Sequence, residues 1–214
     1  MSRTSKQIIA VVLVAVILVI AWWGSYTPMR KAEMFIATLQ GLQTTPATSI
    51  QELVTRISAP LDYPSPIGQE ELVRNMANNI LNLVQRSSDA TTTAQFMAIL
   101  NHYFDPIVAQ GKGMSFGQDL YLLGAINETA FVQTHNPEYL LGAQKYYEEA
   151  VSLGPNRPQA LYGLYDIYRF EGNVASTTVI VQKILSQWPT DQNVKQGYAD
   201  FMTQMQRATS TKSQ

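Results

Sequence analysis

Two histidines, two acidic pairs and a glycine-rich stretch are the residues whose types could do chemistry. His102 stands beside Tyr103 and Phe104 near the expected end of a helix, and His135 lies in a turn; neither has a partner at metal-ligand spacing. Glu70-Glu71 and Glu148-Glu149 are adjacent in sequence, so on a helix their carboxylates point to different sides and read as solvated faces, not as one acid/base site. Gly111-x-Gly113 followed by Gly117 has the wrong spacing for a phosphate loop. Ser115 has neither a nucleophile elbow nor a nearby base. With no cysteine, thiolate catalysis, disulfides and Cys-based zinc sites are excluded. No catalytic, cofactor-binding or metal-binding residue is assigned, and the chain is expected not to be an enzyme.

The elements around these residues are helices. The net charge is -1, and Lys and Arg form no run away from the ends of the apolar segment, so the basic stripe that phosphate neutralisation demands is missing and nucleic acid is not an expected partner. From Ile8 to Trp23 the chain reads IIAVVLVAVILVIAWW, without charge, Gly or Pro. Extended by Gln7, Gly24, Ser25 and Tyr26, this run is long enough for a hydrocarbon core about 30 Å thick, and Trp22, Trp23 and Tyr26 fall where an aromatic belt belongs. Residues 8–26 are therefore expected to form a transmembrane anchor after a short cytoplasmic head, 1–7, with Pro28 ending or bending the helix. A cleaved signal peptide is the rival, since Arg3 and Lys6 precede the run. Cleavage wants small residues, however, and the run ends in Trp22-Trp23-Gly24-Ser25-Tyr26. Arg30 and Lys31 follow the span, so the charge asymmetry leans only weakly towards a cytoplasmic N-terminus. The expectation is a single-pass protein of the bacterial plasma membrane with its helical domain outside the cytoplasm.

After the anchor no sustained period-two alternation appears, and the chain divides into amphipathic helices. Residues 29–111 read as degenerate helical pairs. A helix over 29–42 places Ala32, Phe35, Ile36 and Leu39 on one face, and one over 49–58 carries Ile50, Leu53, Val54 and Ile57. The stretch 60–68 is a Pro-rich loop, 69–86 a long helix, and a further helix ends near Tyr103 with a short continuation from Pro106.

The last hundred residues repeat themselves. Gln118-Asp119-Leu120-Tyr121-Leu122-Leu123 returns as Gln159-Ala160-Leu161-Tyr162-Gly163-Leu164 at an offset of 41, while Ala143, Tyr147, Ala150 and Pro155 match Thr177, Val181, Ile184 and Pro189 at an offset of 34. The difference is expected to be a longer first turn around Thr134 to Pro137. On these residues the chain resembles the tetratricopeptide repeat (TPR) family. Leu161, Leu164, Tyr165 and Tyr168 stand at the family's first-helix packing positions, Gly172 at the turn and Pro189 at the close, while Thr177 departs from the family's Ala. The fold expected is thus all-α: the transmembrane helix followed by an α-helical hairpin solenoid with two TPR-like units over 115–189, a capping helix over 190–207 and a frayed tail over 208–214.

The resemblance implies a groove along the first helices that takes a protein or peptide partner. Matched positions place Gln118, Tyr121 and Glu128 there from the first unit, and Gln159, Tyr162, Asp166 and Arg169 from the second. Tyr121 and Tyr162 equally suit packing against neighbouring helices, and the mixed signs of Glu128, Asp166 and Arg169 favour no partner charge. The order of elements also resembles the C-terminal tail of bacterial O-antigen ligase/polymerase-like membrane proteins, through Arg30-Lys31-Ala32, Tyr63 to Glu70, and Asn136-Pro137-Glu138-Tyr139-Leu140. Those enzymes hold their chemistry in many spans, so the resemblance implies an envelope setting without the activity. Three functions follow as expectations: a membrane-tethered interaction scaffold at the cell envelope, an accessory subunit or detached tail of a surface-polysaccharide ligase or polymerase, and an ordinary lipid-facing or structural envelope protein whose repeats only dimerise, a homo-oligomer.

Overall fold

The computed structural model describes residues 3–212; Met1 and Ser2 of the expected head and Ser213 and Gln214 of the expected tail lie outside the described residues. The fold is all-α, with no strand among the described residues, as the missing period-two alternation requires. The chain divides into two compact units, one built from residues up to Asn79 with Ala98–Phe104, the other from Ile80–Met97 with Asp105 onward.

In the first unit, α1 (Arg3–Ala21), a π-helical turn (Trp22–Tyr26) and α2 (Thr27–Thr44) form one rod. Arg3–Thr44 is long and apolar enough to cross a membrane; α1 buries no side chain, and from Ile8 to Ala21 it is apolar on every face. Pro28 does not end this helical run, one of the two outcomes expected of it. The widened turn just before it, in which the Thr27 N–H donates to the Trp22 carbonyl, makes room for a ring that would otherwise strike the carbonyl four residues back. The Thr27 hydroxyl donates to the Trp23 carbonyl at 2.8 Å, and the Trp22 and Tyr26 rings stack at 4.4 Å.

Helix α3 (Ile50–Leu61) starts at Ser49, whose hydroxyl accepts the Glu52 N–H at 3.1 Å, while Glu52 reaches back to the Thr48 N–H at 2.8 Å. It continues three residues past the expected end, taking Pro60 into its last turn. Proline cannot donate to Arg56, and the freed Arg56 carbonyl instead faces the Thr38 hydroxyl at 3.5 Å. The expected apolar face of α2 is also revised: Phe35 is buried, Ile36 is exposed, and Lys31 is 3% exposed. Lys31 crosses from the expected interfacial flank into the unit, where its ammonium donates to the carbonyls of Leu61 (2.8 Å) and Tyr63 (2.7 Å) and to the Gln69 side chain at the start of α4 (Gln69–Arg86).

Helix α5 (Ala90–Gln110) is a single helix, where a break between Tyr103 and Pro106 was expected. His102, which loses the Pro106 N–H as a donor, is exposed, so its carbonyl can turn to water. Gly111 ends the helix at φ 60°, in the left-handed region that suits glycine.

The second unit contains α6 (Phe116–Thr134), α7 (Pro137–Leu153), α8 (Pro158–Phe170), α9 (Val174–Gln187) and α10 (Gln192–Lys212). Helices α6 and α7 pack as one hairpin, α8 and α9 as a second, and α8 contacts both helices of the first. Among the positions paired by the sequence repeat, these are buried in both hairpins: Leu120 with Leu161, Leu123 with Leu164, Ala143 with Thr177, Tyr147 with Val181 and Ala150 with Ile184. Thr177 fits where the first hairpin has Ala143 because its hydroxyl donates to the Asn173 carbonyl at 2.7 Å, satisfying the polar atom locally.

The long first turn does not exist. His135 and Asn136 alone join α6 to α7, and the additional residues lengthen α6 to 19 residues against 13 for α8. No Gly or Pro interrupts Ala125–Thr134, and the Thr129 and Thr134 hydroxyls bond back to carbonyls four residues earlier. His135 then turns the chain at φ 56°, whereas the second hairpin uses Gly172 at φ 67°. Helix α10 buries Val194 and Phe201 and runs to Lys212, through residues expected to fray.

Candidate binding cleft

Helices α6 and α8 carry the repeated Q-x-L-Y-x-L segment, and helix α7 lies between them in sequence. Where they meet, Tyr147 of α7 fills a slot made by two glycines. A Cβ on Gly124 of α6 would lie 2.6 Å from its ring, and one on Gly163 of α8 would strike the other side. The absent side chains let Tyr147 pass between the helices, 2% exposed, and bring its hydroxyl to Glu128 Oε2 at 2.7 Å.

Above this ring lies a cleft of about 360 Å³ lined by Tyr121, Glu128, Tyr147, Pro158, Gln159, Tyr162, Gly163 and Asp166. Tyr147 and Gly163 are buried at its floor, Tyr121, Glu128, Tyr162 and Asp166 are half-buried, and Pro158 and Gln159 are exposed at its rim. The Tyr121 and Tyr147 ring centroids are 6.1 Å apart. Five of the residues expected along the groove thus share one cleft: Tyr121, Glu128, Gln159, Tyr162 and Asp166. Two do not. Gln118 is exposed near the N-terminus of α6, outside the lining, and Arg169 folds its guanidinium over the Tyr165 ring at 4.9 Å. Arg169 also reaches Asp166 at 3.3 Å.

The sequence reading missed Tyr147, Gly163 and Pro158. For Tyr147 a signal existed, because a tyrosine at a matched core position needs a partner for its hydroxyl. Tyr121 and Tyr162 both line the cleft and pack: Tyr121 against Tyr147, and Tyr162 through a hydrogen bond to Asp191 and a 6.0 Å ring approach to Trp188. Beyond Tyr162 a second cleft, about 540 Å³, is lined by Pro158, Trp188 and residues 190–193.

Desolvation governs the charges here. Burial pushes the Glu128 carboxyl up to about 7, against the Tyr147 hydrogen bond, with the Asp166 charge adding to the rise. Burial also raises Asp166, while Arg169 pulls it the other way. Tyr147 is raised well above the usual phenol range by burial and by Glu128. The hydrogen bond to Asp191 pushes Tyr162 up to about 12 and lowers Asp191.

The other chemically capable residues lie elsewhere. His102 is exposed with its ring 4.8 Å from that of Tyr103, and His135 is exposed at the α6 terminus. Ser115 precedes α6 and makes no side-chain cap. Glu148 accepts the Tyr168 hydroxyl at 3.0 Å. Among the described residues no group of three or more His, Cys, Asp or Glu gathers as a metal site. What the arrangement offers is a concave, aromatic, carboxyl-bearing surface. No protein-family model, curated protein or solved structure matches this chain.

Proposed function

We propose that this chain is a non-catalytic scaffold of the bacterial cell envelope, anchored by residues 8–26, whose TPR-like hairpins hold a protein or peptide partner. The observation that carries the reading is the cleft itself: two helices bearing the same repeated segment direct Tyr121, Glu128, Gln159, Tyr162 and Asp166 to one concave surface. An extended segment entering it would bury aromatic area and meet polar groups at the walls. The anchor is preferred over a cleaved signal because the rod has no extended stretch at Trp22–Tyr26 and carries Thr27, Lys31 and Phe35 into the first unit. An N-terminus in the cytoplasm puts the hairpins outside it.

A second reading, an accessory subunit or detached tail of a surface-polysaccharide ligase or polymerase system, gains from Lys31. Two of the segments behind that resemblance, Arg30-Lys31-Ala32 and Tyr63 to Glu70, meet through its hydrogen bonds to Tyr63 and Gln69.

Crosslinking in native membranes followed by a pull-down of the full chain tests the scaffold. Recovery of a distinct protein that is lost on Asp166→Arg is the expected result. Recovery of the chain alone would sink the scaffold in favour of self-association, and recovery of a polysaccharide-assembly enzyme independent of Asp166 would favour the second reading.

A further inference from the structure

Resting on the scaffold reading, we infer that the cleft between α6 and α8 selects a partner segment by one of its Lys or Arg side chains. The residues lining it contribute two carboxyls, Glu128 and Asp166, and no cation. Arg169, which made the sequence look balanced, is engaged outside the lining: its plane lies on Tyr165, and its contact with Asp166 comes from the same helix, three residues on. One carboxyl therefore comes from each hairpin, and only Asp166 has a cation beside it.

The walls suit the stem and head of such a side chain. Tyr121, Tyr147 and Tyr162 line one concave surface, and a cation over an aromatic face is attracted by the ring quadrupole as its methylenes are covered. Tyr147 already donates to Glu128 Oε2, which orients the carboxyl towards the cleft wall, and an entering cation would favour its ionised form. An acidic segment would bring a third carboxyl beside two half-buried ones, and an apolar segment would leave Glu128 without a counter-charge. The recognised chemistry is a cationic side chain on an extended peptide.

The test uses the full chain in lipid nanodiscs, 15N-labelled at tyrosine, titrated with the N-acetyl methylamides of lysine, arginine, norleucine and glutamate. Saturable shifts of Tyr121, Tyr147 and Tyr162 are expected with the lysine and arginine probes, with norleucine about tenfold weaker. Glu128→Gln and Asp166→Asn each replace a half-buried carboxyl by an amide of the same shape, so both variants are expected to fold and to weaken the lysine probe about tenfold. Equal response to norleucine and lysine, tighter binding of glutamate, or no saturable shift of these tyrosines with lysine would overturn the inference. Amine binding without any partner in the membrane pull-down would overturn the scaffold reading alone, whereas a partner captured by a cleft indifferent to amines would overturn this inference alone.

Discussion

Each unit of this molecule takes an ionisable group out of bulk water, and the two are treated differently. In the first, Lys31 sends its ammonium into a ring of oxygens from Leu61, Tyr63 and Gln69. Burial lowers its pKa from the usual lysine range, with Asp62 opposing, but each of its three protons has an acceptor. In the second unit, Glu128 accepts one hydrogen bond from Tyr147, feels a second carboxyl, and borders open space. A saturated buried charge ties a loop to a helix. A partly satisfied one beside a cleft keeps capacity for something else. That contrast is the physical ground for proposing a structural part for the first and recognition for the second.

The largest effect should come from breaking the saturated site. Lys31→Met leaves the Leu61 and Tyr63 carbonyls and Gln69 without their donor and should cost about 3 kcal/mol or more. Amide hydrogen exchange should show lost protection in α3 and at the start of α4, with α7 and α8 unchanged; full protection in α3 would show that Lys31 ties nothing. Next in size, Gly163→Ala drives a methyl into the Tyr147 ring and should cost about 2 to 3 kcal/mol in the second unit, read as a lower denaturant midpoint.

Glu128 sharpens the comparison through pH. Its folded pKa, about 7, lies above the ordinary 4.5, so its contribution to stability is fully present below pH 4.5 and is lost as pH rises through 7. The loss is on the order of 3 kcal/mol. Glu128→Gln should flatten this part of the stability profile and leave the variant more stable than the parent at pH 8; an unchanged slope would place the titration elsewhere. The smallest effect is at the α6 terminus, where His135→Gly should raise stability by about 0.5 to 1 kcal/mol by relieving φ 56°, seen as a small rise in Tm.

The two units also differed in how far they could be read from residues alone. The repeat was legible because Leu120 and Leu161, Leu123 and Leu164, and Ala150 and Ile184 are apolar at matched spacing, and burial follows such spacing directly. The length of α6 was not, since a histidine can replace glycine in the left-handed turn and nothing in His135-Asn136 marks a stop. Lys31 beside an apolar run has the residue type of an interfacial anchor; only the folded positions of the Leu61 and Tyr63 carbonyls reveal its role. In the cleft, residue types picked out five residues that share one lining, but Arg169 misled the charge balance because its direction depends on the Tyr165 ring. The slot of Gly124 and Gly163 around Tyr147 joins three helices and leaves no local pattern.

Position-specific photocrosslinking in native membranes tests the central claim most directly. A photoreactive residue at Gln159, on the cleft rim, should trap a distinct protein that one at Val179, on the exposed face of α9, does not. Adducts of equal yield from both positions, or from Val179 alone, would contradict the assignment of recognition to this cleft.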